Sequence, residues 1–415
     1  MAEMKDSGTA WLGMIPKDWE LSKISSIYEL RMQKVSDKDY PPLSVTMNGI
    51  VPQLDSAAKT NAHDDRKLVK KGDFVINSRS DRRGSCGVSE YDGSVSLINT
   101  VMKPRDEMNP DYYNWLFHTI QFADEFYKWG HGIVDDLWTT NWQDMKHIDI
   151  PVPTLDEQKV IADYLNKAIP EIDALHTDIE KQIETLEEYK KSIITEAVTK
   201  GLDPDVEMKD SGIEWIGMIP KHWNVDKIKY HLKRNEPKNP GNVEVLSVYR
   251  EYGVIPKSSR DDNHNITSED TSKYKYVKKD DLVINKMKAW QGSMGVSEYE
   301  GIVSPAYFIY NFTDNYFDKK YFHFLIRNCY KDEFRRISGG IREGQWDLSA
   351  DLFAKELVLI PPIKEQIKIV EFLNTKCAEI DGAIEDKKKQ LETLEQYKKS
   401  LIYEYVTGKK EVPNE

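Results

Sequence analysis

Apolar residues recur at heptad spacing in two places. Ile172, Ile179, Leu186 and Ile193 lie seven apart, with Leu175 and Tyr189 at the complementary position and Gln182 breaking that second series. Ile380, Leu394 and Leu401 repeat the pattern, supported by Tyr397 and interrupted by Lys387. A 3.5-residue period predicts long helices that need a partner helix, and two such stretches satisfy each other most economically as an antiparallel pair. Lone amphipathic helices lying on a globular body are the alternative. Both stretches follow proline stops, Pro151/Pro153 and Pro361/Pro362, and Pro170 is expected to start or kink the first helix. Glu171 to Thr199, 29 residues, would then form roughly 44 Å of helix.

Ahead of each helical stretch lies mixed α and β patterning. Asp73-Phe74-Val75-Ile76 and Asp281-Leu282-Val283-Ile284 predict short buried strands. Glu90-Tyr91-Asp92-Gly93 and Glu298-Tyr299-Glu300-Gly301 predict strand ends entering turns. Asp111 to Lys128 and Asp318 to Arg336 carry aromatics at helical spacing and predict one helix each, with Trp115, Phe122, Phe126, Phe322, Leu325 and Phe334 as core.

These elements come in the same order twice because the chain is duplicated. MKDSGTAWLGMIPKDW at Met4–Trp19 returns as MKDSGIEWIGMIPKHW at Met208–Trp223, with 12 identities in 16 positions. KKGDFVIN returns as KKDDLVIN, GSCGVSEYDGSVS as GSMGVSEYEGIVS, and IETLEEYKKSII as LETLEQYKKSLI, all at an offset of 208. Self-similarity at this level is the signature of a repeated unit.

At 415 residues the chain is long enough for two cores. The net charge of −12 argues against a protein that simply coats DNA, which would be basic. Acid is concentrated in the first helical stretch: residues 155–199 hold 11 acids and 5 bases. Residues 211–362, with 21 acids and 23 bases, are slightly basic, whereas residues 1–154 sum to −5. Cys86, Cys329 and Cys377 are odd in number and unclustered, which points to a reducing, cytoplasmic setting rather than a disulfide framework or zinc site. The chain has no phosphate-cradling loop, no dinucleotide fingerprint and no histidine at metal-ligand spacing. The expectation is therefore a chain with no catalytic residue, no metal and no cofactor of its own.

Two globular domains held roughly 44 Å apart by a rigid helical rod could touch two short sites on one DNA duplex. Reading base edges takes forked or bidentate side chains that reach a groove. The two copies diverge immediately after the shared VIN strand, where the first carries Asn77, Ser78, Arg79, Ser80, Arg82 and Arg83 and the second carries Asn285, Lys286, Lys288, Trp290 and Gln291. A repeated frame holding unlike turns suits two domains that read different sequences; ordinary solvated loops are the alternative. Arg342 and Gln345 form a further candidate in the second copy only. Lys70, Lys71, Lys278 and Lys279 are candidates for phosphate contacts, which position without specifying.

The order of segments resembles the specificity (HsdS-type) subunits of type I restriction–modification systems. The matching residues are the MKDSG-x-x-W-x-G-x-IP-x-x-W segment in both copies, the Glu157-Gln158 and Glu365-Gln366 helix entries, and the EYKKSIITEAVT and EQYKKSLIYEYVT exits. Gly340-Ile341-Arg342-Glu343-Gly344-Gln345-Trp346 also resembles a late loop of the family's recognition domains, and its first-copy counterpart, Gly132 to Trp138, lacks the arginine. The resemblance implies an α/β (α+β) fold. Two similar target-recognition domains, 1–153 and 208–361, are joined by helical regions 154–207 and 362–415 that form a coiled-coil-like spacer, pseudo-twofold and cyclically arranged so that the chain ends meet. It further implies a split asymmetric double-stranded DNA target, two adenine-N6 methyltransferase subunits as partners, and motor–nuclease restriction subunits. S-adenosylmethionine, ATP and Mg would belong to those partners. An autonomous bivalent DNA-binding regulator without catalytic partners is the competing function, and a DNA endonuclease with an unrecognised site is a third.

Overall fold

The duplicated VIN runs become central strands. In the computed structural model, which describes residues 3–54, 63–105, 108–132, 138–241, 243–250, 252–260, 270–340 and 346–413, the chain divides into two compact units. One comprises Met1–Glu180 with Lys388–Glu415, and the other Lys181–Lys387.

In the first unit β1 (Met4–Asp6) pairs antiparallel with β2 (Met14–Pro16). A four-stranded antiparallel sheet runs from β3 (Tyr28–Leu30), an edge strand, through β4 (Phe74–Asn77) and β5 (Cys86–Val88) to β6 (Asn99–Pro104), in the spatial order β5-β4-β6-β3. Strand alternation sends Phe74 and Ile76 to one face, where they meet Tyr28, Phe117 and Phe122. Val75 goes to the other, with Leu43, Val69 and Val101. Burial on both faces explains why the run has no polar alternation.

The predicted single helix over Asp111–Lys128 is instead two, α1 (Pro110–Phe117) and α2 (Ile120–Lys128). The break falls at Thr119, whose hydroxyl accepts the Phe122 N–H and so opens a second helix. The expected helix over Asp318–Arg336 is likewise divided. The core assignments fit the packing: Phe122, Phe126, Phe322, Leu325 and Phe334 are buried and Trp115 is half-buried.

The first long helix, α3 (Leu155–Lys200), passes through Pro170, which therefore does not start it. A proline inside a helix costs about 3 kcal/mol. Leu165 and Ile169 are buried in the first unit's core just ahead of it, and Ile172 packs there just behind, so tertiary burial holds the helix on both sides of the missing N–H.

The second unit repeats the sheet. Strands β7 (Leu232–Arg234), β8 (Leu282–Asn285), β9 (Met294–Val296) and β10 (Tyr307–Phe312) take the order β7-β10-β8-β9. Leu282 and Ile284 face one core and Val283 another. Helices α4 (Lys319–Cys329) and α5 (Lys331–Arg336) follow, separated by Tyr330, whose hydroxyl donates to the Leu357 carbonyl. The last element is α6 (Ile363–Val406). Among the described residues no helix is long and apolar enough to cross a membrane.

Within each unit a segment of α3 runs antiparallel to a segment of α6. In the first, Lys398 pairs with Asp173 at 2.5 Å and the Tyr164 and Tyr405 rings are 4.6 Å apart. In the second, Lys190 meets Asp381 at 2.6 Å. Ile179, Ile380 and Leu401 are buried, while Ile172, Leu186, Ile193 and Leu394 are half-buried. Leu175, Tyr189 and Tyr397 are 50%, 55% and 50% exposed, so the expected complementary position is not the seam. The seam side is shared by His176, Ile183 and Lys190, all half-buried. At about 100° per residue, a step of four lies some 40° from the buried stripe and a step of three some 60°.

The repeated motifs are clamps between head and helix. Trp19 Nε1 donates to Glu157 Oε1 at 3.0 Å, and Trp223 Nε1 to Glu365 Oε2 at 2.8 Å. Gln158 accepts from the Asn109 N–H and donates to the Pro153 carbonyl; Gln366 does the same with Asp318 and Pro361. At the far end of each helix, Tyr112 donates to the Val406 carbonyl at 2.7 Å and Tyr321 to the Val198 carbonyl at 2.9 Å. The first unit therefore contains both chain ends. Tyr403 donates to the Trp11 carbonyl, and Lys409 to the carbonyls of Leu12 and Met14.

Candidate nucleic-acid interface

In both units the strand ends in an asparagine that folds the chain back on itself. Asn77 Oδ1 accepts the Arg79 N–H at 3.1 Å, and Asn285 Oδ1 accepts the Met287 N–H at 3.2 Å. Short 3-10 turns follow at Ser80–Arg82 and Ala289–Gln291. The start of each strand is pinned as well. Asp73 accepts the backbone N–H of Lys70, and Asp281 that of Lys278, each at 2.8 Å.

The expected readers then separate by what they touch. Ser78 is buried, with its hydroxyl 3.0 Å from that of Thr100 and its carbonyl taking the Thr140 N–H, so it shapes the turn from beneath. Ser80 donates its backbone N–H to the Trp138 carbonyl. Arg79 Nε lies 2.9 Å from Asp81. Arg83 pairs with Asp124 and lies over the Tyr127 ring, whose hydroxyl donates to the carbonyls of Asn77 and Arg82 at 3.3 Å each. Arg82 is more exposed than Arg79 or Arg83, its side chain 68% exposed and its Nε 3.9 Å from Asp81.

In the second unit Lys286 pairs with Asp347 at 3.1 Å and Gln291 accepts from Arg250. Trp290 donates its N–H to the Met287 carbonyl, packs edge-on against Trp346 and lies under Arg335. Lys288 and Met287 are exposed. Arg342 and Gln345 lie outside the described residues. Of the phosphate candidates, Lys70 pairs with Asp92 at 2.8 Å and Lys71 with Glu90 at 3.1 Å, whereas Lys278 and Lys279 are exposed. Sequence reasoning missed Asp124, Tyr127, Arg250 and Arg335. They lie far along the chain from the turns they brace, and no local spacing marks them.

One replacement beside the sheet carries a pH dependence. Asn114 Oδ1 accepts the Val88 N–H in the first unit, and His323 Nδ1 accepts the Val296 N–H in the second, at 3.2 Å. That bond needs an unprotonated Nδ1. Burial, then the nearby Arg327, lowers the His323 pKa to about 4. An unfolded histidine titrates near 6.5, so the unfolded chain binds the extra proton first. The contribution is fully present above that value and is lost as pH falls toward 4, by at most about 3 kcal/mol. Denaturation of the second unit between pH 7 and pH 4 is expected to lose this slope in His323→Asn, which keeps the acceptor. An unchanged slope would place the dependence elsewhere.

A family model described as "Type I restriction modification DNA specificity domain" matches residues 16–185 and again 225–395. The type I restriction enzyme MjaVIII specificity subunit of Methanocaldococcus jannaschii is 24% identical over 431 residues, spanning 96% of this chain and 95% of its own. The StySPI specificity subunit of Salmonella potsdam is 20% identical over 385 residues, spanning 86% and 82%. In fold, the chain is similar to one solved in a study of complex assembly and conformational transition of the type I R-M system, with a TM-score of 0.71 at 10% identity, covering 95% and 99%. It is also similar to the HsdS subunit from Thermoanaerobacter tengcongensis, with a TM-score of 0.53 at 13% identity, covering 95% and 98%. With the domain matched twice over most of its length, the chain belongs to the family of type I restriction–modification specificity subunits.

Proposed function

We propose that this chain reads a split, asymmetric sequence in double-stranded DNA, one half with each unit, and carries no catalytic site. The long helices set the gap between the halves. They also dock two adenine-N6 methyltransferase subunits, with motor–nuclease subunits joining for restriction in the cytoplasm. S-adenosylmethionine, ATP and Mg are bound by those partners and not by this chain. The observation that carries this reading is the pair of turns: each follows the same buried strand and the same asparagine fold-back, yet their side chains differ at Arg79/Met287, Arg82/Trp290 and Arg83/Gln291. Phosphate contacts alone would not call for that divergence.

The test is methylome sequencing of a host expressing the chain with its methyltransferase. The expected result is N6-methyladenine at one bipartite motif with two unlike halves and a fixed gap. Methylation at a continuous motif, or tight target binding by a chain that co-purifies with no methyltransferase, would overturn it.

A further inference from the structure

We infer that Arg82 reads a guanine in the half-site taken by the first unit; this rests on the proposed DNA-reading function. Three guanidinium groups crowd the first turn, but their commitments differ. Arg79 is held by Asp81 at 2.9 Å, and Arg83 by Asp124 and the Tyr127 ring. Arg82 is the most exposed of the three, and among the described residues its carboxylate neighbour is Asp81, at 3.9 Å. At that distance, and with the side chain 68% exposed, the guanidinium keeps donors to spare for a ligand.

The turn beneath is fixed at several points. The Arg82 N–H donates to the Arg79 carbonyl at 3.1 Å, the Ser85 N–H donates to the Arg82 carbonyl at 3.0 Å, and Tyr127 reaches that same carbonyl. A planar fork on a braced turn matches the O6 and N7 acceptors that guanine presents in the major groove. The second unit places Trp290 at the equivalent position, with its one N–H already donated to the Met287 carbonyl. It has no fork there, so the consequence is confined to one half of the target.

The experiment compares the methylomes of hosts expressing the wild-type chain, Arg82→Ala and Arg82→Lys, each with the methyltransferase partner. Arg82→Ala is expected to relax one G·C position in one half, with discrimination there falling roughly 5- to 150-fold. The other half should stay as stringent as before, which also reports that the variant is folded. Arg82→Lys is expected to keep part of the preference, because an ammonium still reaches O6 or N7. The inference is overturned if Arg82→Ala leaves both halves unchanged, relaxes a position that is not G·C, or weakens methylation uniformly without relaxing any position. If the wild-type chain itself yields no bipartite motif, the underlying reading falls instead.

Discussion

Adding four residues to each long helix is expected to abolish methylation at the original sites and move it to sites whose gap is one or two base pairs longer. The insertions belong between Asp173 and Lys190 in the first helix and between Asp381 and Lys398 in the last, so that both cross-helix ion pairs keep their partners. Four helical residues add about 6 Å and about 40° of right-handed rotation. Two base pairs of B-DNA add about 7 Å and about 70°, in the same sense. Advance and twist therefore change together, which a seven-residue insertion would not achieve. Methylome mapping that shows the original gap retained would mean the helices do not set it.

Gly408→Ala is expected to be among the most damaging single substitutions in the first unit. Gly408 sits at φ +67°, and an added Cβ would lie 2.9 Å from the Trp19 ring and closer still to Pro16. Left-handed backbone costs a non-glycine residue about 1–2 kcal/mol, and overpacking adds about 1–3 kcal/mol. Gly8→Ala is the matched control, because Gly8 has φ +74° with nothing within 4 Å and should show the conformational cost alone. Chemical denaturation with protease probing of the C-terminal segment measures both. Equal losses in the two variants would remove the packing argument.

Much of the fold is legible in the sequence because duplication prints the same constraints twice. The buried VIN strands, the two long helices and their antiparallel pairing all follow from period and repetition. Leu175, Tyr189 and Tyr397 fall off the seam because a heptad count alone cannot tell whether the neighbour three residues on or the one four residues on shares it. Pro170 does not start the helix for a different reason: local propensity favours a start there, but burial of Leu165 and Ile169 holds the turns ahead of it. At the reading turns, sequence marks Arg79, Arg82 and Arg83 as equals. Their difference lies in Asp81, Asp124 and Tyr127, and only tertiary contact assigns each partner.

The first unit is discontinuous, needing residues from both ends of the chain, while the second is contiguous from Lys181 to Lys387. During synthesis the ordinary order, in which the N-terminal domain finishes first, is therefore reversed. The second unit has all its residues once the ribosome has passed position 387, whereas the first must wait for the last stretch to emerge. Until then the apolar surface around Trp11, Leu12 and Tyr112 that receives Leu401, Tyr405 and Val406 lacks its C-terminal cover.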